Sequence, residues 1–192
     1  MPDPIIENLQ FEGNNFQQSE LEKGVYEECR FISCNFSESN LKKYVFIDCI
    51  FEKCNLSNSI LTKTSFQGCE FRSCKMVGVR FDHCTPLLLS FSFDSCMLNL
   101  SSFYGLKIPG TNFMKCNLQE ADFTGCSLVG SNFQHTDLYR AIFHNTILEE
   151  CDLRSAENYS IDPEENSIRR AKFSLEGIPG LLIKYTLQID GS

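Results

Sequence analysis

The sequence predicts an all-β solenoid with four sides, and three observations predict it. First, between Thr111 and Leu153 a large apolar residue returns at every fifth position: Phe113, Leu118, Phe123, Leu128, Phe133, Leu138, Phe143, Leu148 and Leu153. A period of five belongs neither to an α-helix of 3.6 residues per turn nor to a strand that alternates every second residue, so it marks an internal repeat. Second, the same rhythm already runs from Phe11 to Phe81, the position two before a centre is characteristically small, and all eleven cysteines fall on it, from Cys29 and Cys34 to Cys126 and Cys151. Third, a longer period of twenty overlies the first. Cysteine pairs recur at 29/34, 49/54 and 69/74, and Phe11, Phe31, Phe51 and Phe71 repeat at the same interval. Five nested in twenty describes a coil with four sides.

Each side is then a very short extended segment, and successive coils hydrogen-bond at about 4.8 Å. The centre and the small residue two before it share the inward face of that segment. A narrow core has room for one large and one small side chain per side. The candidate structural core in the regular half is Phe103, Phe113, Leu118, Phe123, Phe133, Leu138 and Phe143, with Phe103, Phe123 and Phe143 stacking on one side and Leu118 and Leu138 on the next. Four centres per coil give about seven coils, on the order of 35 Å tall at this spacing.

In chain order, residues 1–81 form an N-terminal half whose centres run without interruption from Phe11 to Phe81. The next centre, Leu88, comes after seven residues instead of five. Two extra residues within 82–91, around Cys84, Pro86 and Leu87-Leu88-Leu89, therefore predict a bulge, loop or hinge. From Leu88 a new phase carries a second half over 92–156. The rhythm stops after Ala156, where Asp162, Pro163 and Glu165 read as N-cap, first-turn proline and capping-box acid. They predict a short helical cap from Pro163 to about Lys172, with Ile168 and Ala171 facing inward. Gly177, Pro179 and Gly180 then interrupt any regular element. The last stretch, with Leu181, Leu182, Ile183, Tyr185, Leu187 and Ile189, is too apolar for a free tail. It is expected to pack on the last coil or, as the sharper expectation, to join two copies in a homodimer, so that 157–192 serves as cap and dimerisation segment.

Charge and chemistry narrow the function classes. The net charge of −8 disfavours direct binding to nucleic acid through phosphates. It is unevenly spread: −6 over residues 1–28, +4 over 29–118 and −6 over 119–192. The opening MPDPIIENLQ lacks a basic and apolar leader pattern, and no apolar run is long enough to span a bilayer, so a cytoplasmic protein without a membrane partner is expected. An odd number of cysteines in such a chain reads as free buried thiols. No metal site is expected, since the closest cysteines lie five apart and only His83-Cys84 pairs the two ligand types. His135 and His144 flank centres and should face outward, away from any nucleophile. No phosphate-binding glycine loop occurs, and Glu27-Glu28, Glu149-Glu150 and Glu164-Glu165 read as solvated acids. Neither a catalytic residue nor a cofactor is expected.

At Ala121-Asp122-Phe123, Ser131-Asn132-Phe133, Thr136-Asp137-Leu138 and Cys151-Asp152-Leu153 the chain resembles the pentapeptide-repeat family, whose repeat is written A(D/N)LXX. The resemblance covers roughly residues 9–156 and implies a right-handed quadrilateral β-helix. In size, central interruption and apolar C-terminal segment it is further similar to the Qnr-type quinolone-resistance proteins. That resemblance implies a non-enzymatic protein that binds DNA gyrase or topoisomerase IV as a mimic of duplex DNA, commonly as a dimer joined at its C-terminus. The other class open to the sequence is a β-helical scaffold, immunity or regulatory protein with an unrelated protein partner.

Overall fold

The computed structural model describes residues 3–189. Ten short strands, none longer than four residues, make two parallel sheets. One is formed by β1 (Ile5–Glu7), β3 (Val25–Glu27), β5 (Val45–Ile47) and β7 (Ser65–Gln67), and the other by β2 (Gln10–Glu12), β4 (Arg30–Ile32), β6 (Ile50–Glu52), β8 (Cys69–Arg72), β9 (Phe91–Asp94) and β10 (Phe113–Met114). Sheet partners are twenty residues apart, as in Phe11 with Phe31 and Phe51 with Phe71. The remaining sides stack through isolated parallel bridges such as Asn35–Asn55 and Asp122–Ile142. The described residues form a parallel β-solenoid with almost no helix.

The core is a set of vertical ladders. Phe103, Phe123 and Phe143 stack with centroids 5.0 and 5.2 Å apart and rings within 6° of parallel. The neighbouring side stacks Phe93, Phe113 and Phe133, and the two ladders meet edge to face, as between Phe113 and Phe123 at 85°. Leu118, Leu138 and the other centres of this half are likewise buried. The small position does more than save space. Its side chain donates to the carbonyl of a centre on the coil below: Cys54 Sγ to Phe31 O at 3.2 Å, Cys96 Sγ to Phe71 O at 3.3 Å, Thr64 Oγ1 to Leu41 O at 2.7 Å and Thr146 Oγ1 to Phe123 O at 2.9 Å. Thiols and hydroxyls thus satisfy carbonyl lone pairs that the ladder leaves facing inward.

All eleven cysteines are buried and unpaired as disulfides. Burial pushes the thiols of Cys49, Cys126 and Cys151 up to about 12, so they stay protonated at neutral pH. The folded protein is accordingly expected to show no rapid reaction with a water-soluble disulfide reagent, and eleven thiols once denatured. Titration with such a reagent with and without guanidinium checks this.

Corners repeat as four-residue turns that begin at a centre, with the third residue in the left-handed region. Phe103 O accepts from Leu106 N at 3.1 Å across Gly105, whose φ is +65°. Glycine suits that position. Leu100 occupies the equivalent place at φ +58° with 56% of its surface exposed, a costly conformation for a branched side chain with little packing to offset it. Leu100→Gly is therefore expected to stabilise by about 0.5–1 kcal/mol and Gly105→Ala to destabilise by about 1 kcal/mol, read from thermal melts.

The structure departs from the sequence-based expectation in two places. The two-residue insertion is a corner bulge: Thr85 N still donates to Thr64 O in the ordinary register, Pro86–Leu89 then makes an extra turn in which Leu89 N donates to Pro86 O at 3.4 Å, and the register moves from twenty to twenty-two as Cys69 pairs with Phe91. Leu88, expected as an inward centre, is 67% exposed. Leu89 is buried in its stead, and Phe91 also enters the core, placing a ring where other coils have a cysteine, 5.3 Å from Phe81 and 5.0 Å from Phe93. The second departure is the helix expected from Pro163 to Lys172, which does not form. Asp162 does cap a turn, accepting from Glu164 N at 2.9 Å, but coiling resumes with Ser167 bridged to Ile147 and Lys172 bridged to Asp152. Asn166 explains the outcome: buried in the small position, it donates to Phe143 O at 3.1 Å and accepts from Thr146 N at 2.9 Å. These inter-coil bonds, together with the ladder bonds of Ser167 and Lys172, outweigh a local helix start. Helical turns occur later, as 3₁₀ turns Ile178–Leu181 and Ile183–Tyr185.

Candidate interaction surfaces

Because inward positions are filled by core residues, the chemistry the coil offers to other molecules lies in its outward columns and at its ends. Among the described residues no group of three or more His, Cys, Asp or Glu side chains is placed to hold a metal ion. No helix there is long and apolar enough to cross a membrane. His135 and His144 are exposed, the latter with Nδ1 2.9 Å from Glu165 Oε2. His83 and Cys84 lie on opposite sides of the wall, His83 outward and Cys84 buried.

The acidic residues gather at the two ends of the coil. Glu7, Glu12, Glu20, Glu22, Glu27 and Glu28 occupy the first coils, and Glu120, Asp122, Asp137 and Glu157 the later ones. Several other carboxylates are engaged by arginine: Arg154 holds Asp152 down to about 2 through bonds of 2.7 and 3.0 Å, and Arg169 meets Glu149 at 2.7 Å. Burial works against Asp137 ionising, but amide donors from Asn158 at 2.9 Å and Gln119 at 2.6 Å outweigh it and keep the carboxylate charged. Starting within the first acidic coils, the corner beside β3, β5 and β7 carries Lys23, Lys43 and Lys63 at successive levels. The acids therefore do not run as one strip along that corner.

The C-terminal segment splits in two. Leu181 is buried and Leu182 partly so, anchored where Ile161 N donates to Gly180 O at 3.0 Å. Gly180 is needed there, since a Cβ would stand 2.5 Å from Tyr159 O. Lys184 Nζ clamps the segment to the last coil through Asp162 at 2.7 Å and Glu164 at 2.6 Å, and the Tyr185 hydroxyl donates to Glu164 at 2.8 Å. Ile183, Tyr185, Leu187 and Ile189 are left 48–58% exposed. This fixed apolar surface borders an open notch of 780 Å³ lined by Tyr139, Arg154, Asn158, Tyr159, Glu176 and Ile183 among others. Periodicity alone could not separate the anchoring leucines from the exposed residues, because no repeat runs through the segment.

Comparison with known proteins agrees with this geometry. Residues 25–87 and 44–123 match the family pattern described as a pentapeptide repeat region, and residues 116–154 match pentapeptide repeats in eight copies. Two trypsin-treated variants of QnrB1, a plasmid-mediated fluoroquinolone resistance protein, superpose with TM-scores of 0.64 and 0.63 at 18% identity. The alignments cover 97% and 95% of this chain and 100% and 99% of theirs. HetL, a pentapeptide repeat protein involved in heterocyst differentiation regulation in the cyanobacterium Nostoc sp. Strain PCC 7120, gives 0.52 at 15% identity, covering 90% of this chain and 87% of its own. At these identities the likeness is one of fold, the right-handed quadrilateral β-helix. No curated protein matches the chain in sequence.

Proposed function

We propose that this chain, which belongs to the pentapeptide-repeat family, is a non-enzymatic interaction protein whose partner is DNA gyrase or topoisomerase IV and which shields that enzyme from quinolone-like inhibitors. The observation that carries the reading is the superposition on a fluoroquinolone resistance protein over nearly the whole of both chains. Two surface features support it. The acidic end regions offer carboxylates to a site that otherwise takes DNA phosphates. The exposed residues Ile183, Tyr185, Leu187 and Ile189 offer an apolar surface through which two copies would join end to end. One observation favours the second reading, a β-helical scaffold or regulatory protein with an unrelated partner: the Lys23, Lys43 and Lys63 column interrupts the negative surface that a duplex mimic needs.

Binding of the immobilised full chain to purified gyrase and topoisomerase IV separates the two. A dissociation constant at or below micromolar, weakened by added salt and by neutralising Asp122 and Asp137, is the expected result. No binding at micromolar concentration of either enzyme overturns the topoisomerase reading.

A further inference from the structure

The outward face carried by β1, β3, β5 and β7 combines three columns. Its midline reads Ile5, Val25, Val45 and the buried Ser65, with Ile47 beside it, and the bulge at its upper end exposes Leu87 and Leu88 by 71% and 67%. One corner of the face is basic, with Lys23, Lys43 and Lys63 one coil apart. The opposite corner is acidic at the first two of these levels, with Glu27 and Glu28 level with Lys23 and Asp48 level with Lys43, while Gln67 and Gly68 stand level with Lys63. Among the described residues Lys23 alone of these six charged residues has an ion-pair partner, Asp3 at 3.9 Å.

Symmetry selects what such a face fits. A two-fold axis parallel to the coil axis lays the basic corner of one copy against the acidic corner of the other, at both margins and at the levels of Lys23 and Lys43, while the apolar midlines meet on the axis. Lys43 then faces Asp48 of a second copy, Lys23 faces its Glu27 and Glu28, and the Leu87-Leu88 bulges cover one another. A two-fold axis running across the coils instead sets lysine against lysine and acid against acid. The face is self-complementary in the first arrangement alone.

We infer that two copies of this chain associate side by side through this face with their coils parallel, a contact independent of the C-terminal one. Five coils at about 4.8 Å make a strip roughly 24 Å tall. Such a strip is smaller than a standard interface of about 800 Å² per partner, so the association is weak, dependent on concentration and screened by salt.

Sedimentation of the full chain tests this in an Ile183→Asp, Leu187→Asp background, which removes any apolar association through the end segment. The expected result is a monomer–dimer equilibrium that survives in that background and weakens in about 0.5 M salt, an ionic strength at which the screening length falls to a few ångströms. Lys43→Glu and Asp48→Lys should each weaken it at least tenfold, because each sets like charges against each other at both margins. Mixing the two variants should restore association, since each reversed charge then meets its opposite; restoration also shows that both variants fold. A monomer at every concentration, indifference to both reversals, or failure of the mixture to associate would overturn the proposal.

Discussion

Phe123→Ala is expected to cost about 3–5 kcal/mol, the range for emptying a large aromatic site in a core that cannot collapse around it. The ring lies between Phe103 and Phe143 at 5.0 and 5.2 Å and stands edge-on to Phe113 and Phe133 at 5.8 and 6.0 Å. Relaxation is blocked because Phe113 and Phe133 are held in the neighbouring ladder, and Phe103 and Phe143 are fixed by the coils that carry them. A domain of this size loses roughly 2–4 °C per kcal/mol, so the melting temperature should fall by about 6–20 °C. Gln134→Ala, one residue beyond a centre and outside the core, should stay within about 0.5 kcal/mol. Equal shifts for the two substitutions would contradict the inward and outward assignment of the repeat.

Asn166→Leu is the second large effect. Asn166 is nearly fully buried, and its amide donates to the carbonyls of Phe143 and Asp162 while its oxygen accepts from Thr146 N. Leucine is close in volume but leaves Thr146 N and Phe143 O without that partner, at about 1–3 kcal/mol per buried group. The expected loss is about 2–4 kcal/mol, concentrated in the last coil, because the earlier ladders do not pass through this residue. Limited proteolysis should then cut after Ala156 at a protease concentration that leaves the parent chain whole. An unchanged melting temperature together with unchanged proteolysis would show that the side chain does not hold the final coil.

These two residues also mark how far the sequence is readable. Phe123 is legible because every fifth side chain of a four-sided coil must enter the core, which imposes a period that nothing else in the chain competes with. The cysteines are legible by position, although their role as donors to inward carbonyls, as in Cys54 to Phe31 O, emerges only when the coils are stacked. Asn166 lies where local and long-range signals disagree. Asp162, Pro163 and Glu165 are true helix-start residues and do make one turn, but the bonds of Asn166, Ser167 and Lys172 to the coil below are invisible to a window of about ten residues. Leu88 is misplaced by the sequence pattern for a related reason. A two-residue insertion hides which of several neighbouring apolar residues turns inward, and Leu89 and Phe91 enter the core instead. The interaction surfaces are the least legible feature, since Lys23, Lys43 and Lys63 are neighbours only across coils, and the fate of Leu181 against Ile183 depends on how the cap turns.

The most direct test of the proposed function is a supercoiling assay with purified gyrase, with and without a fluoroquinolone, across a titration of this chain. If the chain shields gyrase as proposed, micromolar protein restores supercoiling in the presence of the drug or inhibits it in its absence. Supercoiling unchanged under both conditions would contradict the proposal.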